Sequence, residues 1–206
     1  MSKKFPLQIP IFPLSGVIYF PRTNLPLNIF EQRYLNLVND VIQKDKLMGM
    51  IQLMEKGSDV YKVGCLGKIS DHKTGDDGKI IINLTGLIRF EIVEEVKNQK
   101  LYREFIVDYK KFHLDTKATI EKPRTESLIE NTKTFFEKNG ISINWKEFEK
   151  LDIAQKINTL SMIAPIANEE KQKLLESISL DEKIITLQNI VNFYLHEVNF
   201  NNRTIQ

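Results

Sequence analysis

The sequence predicts an α+β fold in which a strand-rich half precedes a helical half. Up to about Lys111, short apolar runs and alternating apolar and polar residues are broken by Gly, Pro and Asp, which is typical of strands and turns. From about Ser127 onward the apolar residues recur at helical spacing, and strands do not alternate with helices as they would in a parallel α/β fold. The stretch 115–124, rich in Thr, Lys, Glu and Pro, is the predicted boundary. We therefore expect a β-rich lobe over 1–114 and an α-helical lobe over 115–206.

The N-terminal stretch 9–34 is the most constrained part of the chain, because it holds four prolines. Proline fixes φ and lacks a backbone donor, so the stretch cannot form a helix or one uninterrupted central strand. Alternation predicts two short strands here, one through Ile9 and Ile11 and one through Val17 and Tyr19. After Pro26 the period changes, which predicts a helix over 31–43.

The rest of the strand-rich half contains five further predicted strands. The apolar run 47–53 is short and bounded by charge, which favours a buried strand. Strands 62–73 and 79–85 flank the turn 74–78, whose glycines and aspartates are typical of a hairpin. Two more strands are expected at 87–96 and 100–112, with Asn98-Gln99 as the turn between them.

Four helices are predicted in the second half. Ser127 and Glu130 have the spacing of a capping box, and Asn139-Gly140 ends the helix that they open. A second helix is expected over 149–164, ended by Pro165. Asn168 is the expected cap of a third, and Ser179 with Glu182 opens the last.

Composition makes several classes of protein improbable. A net charge of +2, from 29 basic and 27 acidic residues, favours neither nucleic acid nor a membrane surface as partner. Prolines interrupt the only apolar segment near the N-terminus, so neither a signal peptide nor a membrane span is expected. Cys65 is the single cysteine, which excludes an internal disulfide. A cytoplasmic location is the default expectation.

No catalytic motif is apparent. The Gly64–Lys68 and Gly75–Lys79 segments are too short for a phosphate-binding loop, and no GxSxG elbow is present. His72, His113 and His196 share no metal-ligand spacing with one another or with Cys65, which we expect to be an inert core residue. We therefore predict no ATPase activity, no metal and no cofactor.

Basic and aromatic residues alternate over 97–112, as they do in some nucleic-acid-binding strands. Glu104 and Asp108 interrupt the pattern, so nucleic acid is only a minor alternative.

Five segments together resemble a known family. They are PIFPL (10–14), FPRTNLPLNIFEQRY (20–34), VGCLGKI (63–69), DGKIIINLTGLIRFEI (77–92) and NEEKQKLLE (168–176). In this order they are similar to the N-terminal, substrate-binding domain of the ATP-dependent protease Lon, in its stand-alone form. The resemblance implies a twisted, barrel-like (PUA-like) β lobe with one embedded helix, followed by a helical bundle. Where the family typically reads FEPRY, this chain has Gln32 in place of the proline.

The resemblance also implies a non-catalytic module that binds unfolded or extended polypeptide. Such a module would bind polypeptide either by strand addition at an open sheet edge or in an apolar groove between the lobes. Two other functions remain open: an adaptor that docks on a larger protein complex such as a protease, and a hydrolase whose site is assembled from distant residues.

Two groups of residues are candidates for the site. Large apolar side chains beside prolines are often incompletely buried, which makes a peptide-binding group of Phe12, Tyr19, Phe20 and Pro21. The second group, Glu31, Arg33 and Tyr34, is either a polar recognition patch or an ordinary helix start in which Arg33 pairs with a carboxylate and Tyr34 packs.

Overall fold

The computed structural model describes residues 5–54, 57–116 and 125–201, with side chains described as far as residue 196. The chain divides into two compact units, Met1–Lys117 and Ala118–Gln206. The first contains every strand among the described residues, and the second contains only helices. Most of the predicted boundary, residues 117–124, lies outside the described residues.

The first unit consists of six strands, one α-helix and a 3-10 segment. The strands are β1 Gln8–Leu14, β2 Asn24–Ile29, β3 Leu47–Gln52, β4 Val63–Thr74, β5 Ile80–Val96 and β6 Arg103–Asp108. The helix is α1, Gln32–Ile42, between β2 and β3, and the 3-10 segment Lys110–Thr116 follows β6. The predicted helix at 31–43 and strand at 47–53 are confirmed. The strand predicted over 100–112 is shorter, because the chain turns into the 3-10 segment after Asp108.

The six strands form one sheet in the order β2-β5-β4-β3-β1-β6, and β5 also pairs with β6. Five strands therefore close into a ring, with β1 and β3 parallel and the other pairs antiparallel. The 17-residue β5 makes the closure possible, because its first half pairs with β2 and its second half with β6. The expected twisted, barrel-like lobe with one embedded helix is confirmed.

The hairpin between β4 and β5 forms as the sequence predicts. The Gly75 N–H donates to the Lys79 carbonyl oxygen at 2.8 Å, and the Gly78 N–H donates to the Gly75 carbonyl oxygen at 3.0 Å. Gly78 has φ of +78°, which a side chain would disfavour. The turn residues thus fix the register of the longest antiparallel pair in the lobe.

The predicted strand through Val17 and Tyr19 is wrong. Residues 15–23 are irregular, and the second strand of the chain is instead β2, which contains Pro26. The alternating pattern does not indicate a strand here, because Ile18, Tyr19 and Phe20 are all buried and consecutive side chains therefore do not face opposite environments. Pro26 is tolerated because β2 lies at the end of the sheet.

The helices of the second unit differ in detail from the prediction. They are α2 Glu126–Lys138, α3 Trp145–Glu149, α4 Ile153–Ile163, α5 Asn168–Glu176 and α6 Leu180–Asn201. The helix predicted over 149–164 begins later, at Ile153, because Asp152 accepts a hydrogen bond from the Gln155 N–H at 2.9 Å and caps the start of α4. The short α3 that precedes it was not predicted. The cap of α2 is Thr125 rather than Ser127, and that of α5 is Ala167 rather than Asn168.

The predicted start of α6 is confirmed in part. The Glu182 N–H donates to the Ser179 hydroxyl at 3.1 Å, while the Glu182 carboxylate accepts from the Ile178 N–H at 2.7 Å instead of from Ser179. Leu187 and Val191 are fully buried, so α6 contributes its apolar stripe to the core of the second unit.

Candidate functional site

The predicted peptide-binding group lies inside the β lobe. Phe12, Tyr19 and Phe20 are 5%, 2% and 0% exposed, and Pro21 is also buried. The expectation that these side chains would be incompletely buried is therefore wrong. A role for them in contacting a peptide stays a prediction, and it would require the lobe to open.

Close packing holds the segment that carries this group. A Cβ on Gly86 would clash with the Phe20 carbonyl oxygen, so only glycine allows this approach of β5. The Thr23 hydroxyl donates to the same oxygen at 2.7 Å. By contrast, the buried Tyr19 hydroxyl has no hydrogen-bond partner among the described residues. Burial, with a smaller contribution from nearby Cys65, raises the pKa of Tyr19 far above its ordinary range.

The second predicted group divides between surface and core. Arg33 and Glu31 are exposed and form an ion pair of 2.8 Å at the start of α1. Tyr34 is buried, its hydroxyl donates to the Pro13 carbonyl oxygen at 3.3 Å, and its ring meets Phe12 edge-on with centroids 4.1 Å apart. This geometry is that of an ordinary helix start, and a recognition role for these residues stays a prediction.

Apart from the two predicted groups of residues, one part of the sheet has strand edges that are unpaired and exposed. β3 pairs with β4 only as far as Lys68, and β6 pairs with β5 only from Glu91. The first half of β5, with β2 on one side and the end of β4 on the other, therefore forms a three-stranded ribbon extending from the ring. Among the described residues no strand pairs with the edge of β2 that faces away from β5, and none pairs with the corresponding outer edge of β4 beyond Ile69.

These two open edges differ in charge. Every residue of the β4 edge, 70–74, is exposed, and the edge carries Asp71, His72 and Lys73. Charged residues of this kind discourage pairing with another chain. The β2 edge, Asn24–Ile29, has no charged residue, and Leu25 and Leu27 are half-buried. The β2 edge is thus the one suited to accept a further strand.

Exposed apolar side chains lie beside the β2 edge. Ile81 on β5 pairs with Asn28, and it is 56% exposed. Phe30 directly follows β2 and is 62% exposed. Alternation places Phe30 on the same face as Asn28 and Ile81. Large exposed apolar groups beside an unpaired strand are typical of an interaction surface.

A polar cavity of about 240 Å³ lies elsewhere on the lobe, between β1, α1 and the start of β6. The Tyr102 hydroxyl donates to Asp40, and Lys100 donates to Glu104 at 2.8 Å. The bond to Glu104 raises the pKa of Lys100 above its ordinary range. Asp40, Lys100 and Glu104 thus each have a hydrogen-bond partner within this cavity.

Two further kinds of site would be a cluster of metal ligands and a reactive thiol. No group of three or more His, Cys, Asp or Glu residues among the described residues is placed to hold a metal ion. Cys65 is fully buried in β4, as the sequence predicts. Within the described ranges, no helix has the length and apolar character needed to cross a membrane.

The sequence did not single out Phe30 and Ile81, although both lie in the segments that carry the family resemblance. The alternation of Leu25, Leu27 and Ile29 is the signal that could have identified β2. The prolines that flank and interrupt this run obscured it.

Comparison with known proteins gives one consistent family. Residues 8–192 match the substrate-binding domain of the ATP-dependent protease La (LON). The chain is 25% identical to the Lon protease of Syntrophus aciditrophicus, over 93% of this chain and 26% of that protein. It is 28% identical to the Lon protease of Cytophaga hutchinsonii, over 85% of this chain and 23% of that protein. The chain thus spans about a quarter of the length of these relatives.

Two solved structures share the fold. A Lon N-terminal domain protein from Xanthomonas campestris superposes with a TM-score of 0.63 at 17% identity, covering 87% of this chain and 96% of that one. The N-terminal domain of the Mycobacterium avium complex Lon protease superposes with a TM-score of 0.62 at 13% identity, covering 90% of this chain and 98% of that one. At these identities the likeness concerns the fold.

Proposed function

Because the chain belongs to the family of ATP-dependent protease La (LON) substrate-binding domains, we propose that it binds extended or unfolded segments of other polypeptides. On this proposal the chain catalyses no reaction itself and needs no metal or cofactor. A cytoplasmic location is part of the proposal, since a chain with one buried cysteine needs no oxidising compartment.

The observation that carries the proposal is the uncharged open edge of β2 with Phe30 and Ile81 beside it. An unfolded polypeptide differs from a folded one in offering unpaired backbone groups and exposed apolar side chains together. A surface that has both an unpaired strand and apolar side chains can bind both features at once. The β4 edge of the same ribbon is also unpaired, but the charged residues that it carries discourage the pairing of another strand.

Affinity should be modest. Burying one large apolar side chain is worth about 1.5–3 kcal/mol, and binding also costs the entropy of ordering the segment. We therefore expect a Kd in the micromolar range, about −8 kcal/mol.

The test compares an unfolded client, such as a reduced and alkylated secretory protein, with the same protein in its folded state. We expect the chain to bind the unfolded form alone. The double variant Phe30→Ser, Ile81→Ser should bind it at least about tenfold more weakly. The matched control is Leu101→Ser, because Leu101 is as exposed as Phe30 but follows β5 at the far end of the strand.

Other outcomes would replace the proposal. Binding to a folded partner without binding to the unfolded client would favour an adaptor. Turnover of a small substrate would contradict a purely binding role.

A further inference from the structure

We infer that the bound polypeptide segment adds as a further strand along the outer edge of β2, and that this edge selects uncharged segments. The inference rests on the proposed function and deepens it, since it states how the segment is held and which segments fit.

The hydrogen bonds of the β4–β5 hairpin establish which backbone groups of β2 are available. The Gly75 N–H donates to the Lys79 carbonyl oxygen, so the polar groups of Lys79 face β4. Because backbone groups alternate in direction along a strand, those of Ile81 also face β4, and those of Ile80 and Ile82 face β2.

The backbone groups of β2 alternate in direction in the same way. Leu27 pairs with Ile82 and Ile29 with Ile80, so the polar groups of these two β2 residues are directed to β5. The backbone groups of Asn24, Pro26 and Asn28 are therefore directed outward. None of them makes a backbone hydrogen bond to a described residue outside the strand pair.

This outer edge accepts more hydrogen bonds than it donates. Asn24 and Asn28 each offer one N–H and one carbonyl oxygen, whereas Pro26 offers a carbonyl oxygen alone. Proline in an edge strand is expected at such an outward position, where its missing donor disrupts no existing ladder. An incoming strand must therefore supply N–H groups, above all opposite Pro26.

The side chains of the edge determine which segments fit. No charge lies between Asn24 and Phe30, so a charged residue in the added strand would lose water without gaining a partner. On one face the added strand lies beside the half-buried Leu25 and Leu27. On the other it lies beside Pro26, Asn28 and Phe30. Apolar or hydroxyl side chains at alternate positions suit this environment.

The experiment uses an uncharged peptide of alternating valine and threonine, about six residues long to match β2. Two analogues keep the same side chains but are N-methylated at alternate backbone amides, one at the odd positions and the other at the even positions. In one of these two phases the methyl groups replace the N–H donors directed to β2, and in the other they replace the donors directed away from it. We expect one phase to weaken binding at least about tenfold and the other to leave it nearly unchanged. Equal binding by both analogues and the parent peptide would overturn the inference.

Protein variants give a second measure. Asn28→Lys places a charge on the β2 edge and should weaken peptide binding, whereas Ser70→Lys, on the open β4 edge, should not. Equal effects of the two substitutions would contradict the assignment to β2. Circular dichroism of both variants checks that the fold is kept.

The failure of the inference and that of the proposed function can be told apart. If neither the peptide nor an unfolded client binds, the proposed function fails. If the parent peptide binds and N-methylation in either phase has no effect, only strand addition fails. If sedimentation shows a dimer of the chain that Asn28→Lys dissociates, the occupant of the edge is a second copy, and the inference is overturned.

Discussion

Arg89 on β5 and Asp115 in the 3-10 segment form a buried, bidentate ion pair. The Arg89 side chain donates to the two carboxylate oxygens at 2.9 and 2.7 Å, and its backbone N–H donates at 3.0 Å. The two side chains are only 4% and 10% exposed, and the guanidinium lies 4.3 Å from the centre of the Phe112 ring. The pair thus attaches the end of the β lobe to its longest strand.

Asp115→Asn should destabilise the β lobe by about 3–5 kcal/mol, because it removes the carboxylate charge with which the buried Arg89 side chain pairs. Urea unfolding followed by circular dichroism measures the loss. The control is Glu31→Gln, which breaks the exposed pair with Arg33 and should cost about 1 kcal/mol or less. Equal losses in the two variants would contradict a special role for the buried pair.

Two buried tyrosines of the β lobe, Tyr19 and Tyr34, should respond oppositely to removal of the hydroxyl. Tyr19→Phe deletes a buried hydroxyl that has no partner among the described residues, so the free energy of unfolding should rise by about 1 kcal/mol. Tyr34→Phe deletes a donor to the Pro13 carbonyl oxygen, so in this variant the free energy of unfolding should fall by a similar amount. Chemical denaturation of the two variants measures the signs, and a loss of stability in Tyr19→Phe would show that its hydroxyl is bonded.

Alkaline pH should destabilise the β lobe through Tyr19. Its folded pKa is raised by burial above the ordinary value of 10.0, so its contribution to stability is fully present below about pH 10 and is lost as the pH rises further. We expect the free energy of unfolding to fall above about pH 10, and to fall less steeply in Tyr19→Phe. Unfolding curves from about pH 8 to about pH 11 measure both slopes. Identical slopes would mean that Tyr19 ionises as freely in the folded state as in the unfolded one.

Cys65 should react with a thiol reagent only after denaturation, since its side chain is fully buried in β4. An internal control is the variant Ser70→Cys, which places a second thiol at an exposed position of the same strand. The native variant should take up one label rapidly and the second only in denaturant. Rapid labelling of native wild-type protein would show that the lobe opens around Tyr19 and Cys65.

The sequence predicts those elements whose signals are local. The turn 74–78 fixes its hairpin through Gly78 and neighbouring aspartates, and the change of period after Pro26 is sufficient to locate α1. The start of the helix predicted over 149–164 was placed too early, because the capping aspartate of α4, Asp152, lies within an otherwise helical apolar pattern.

The sequence predicts what type of site to expect, but not where in the sheet it lies. An open sheet edge for strand addition was anticipated, but which strand remains open depends on where β3 and β6 stop pairing, and no local pattern shows this. The burial of Tyr19 and Phe20 likewise depends on the approach of Gly86, a residue far along the chain. Long-range contacts of this kind decide which apolar residues are core and which are surface.

Binding of the uncharged peptide should depend little on salt, because the β2 edge carries no charge and the nearest ion pair, Glu31 with Arg33, is internally neutral. From low ionic strength to about 0.15 M, at which the Debye length is about 8 Å, Kd should change by less than about twofold. The variant Asn28→Lys provides the contrast. At low salt it should bind an otherwise identical peptide containing glutamate more tightly than wild-type protein does, and this difference in affinity should disappear as salt is added. Fluorescence anisotropy of labelled peptides across a salt series measures both. A steep salt dependence for wild-type protein and the uncharged peptide would place the binding surface among charged residues, away from β2.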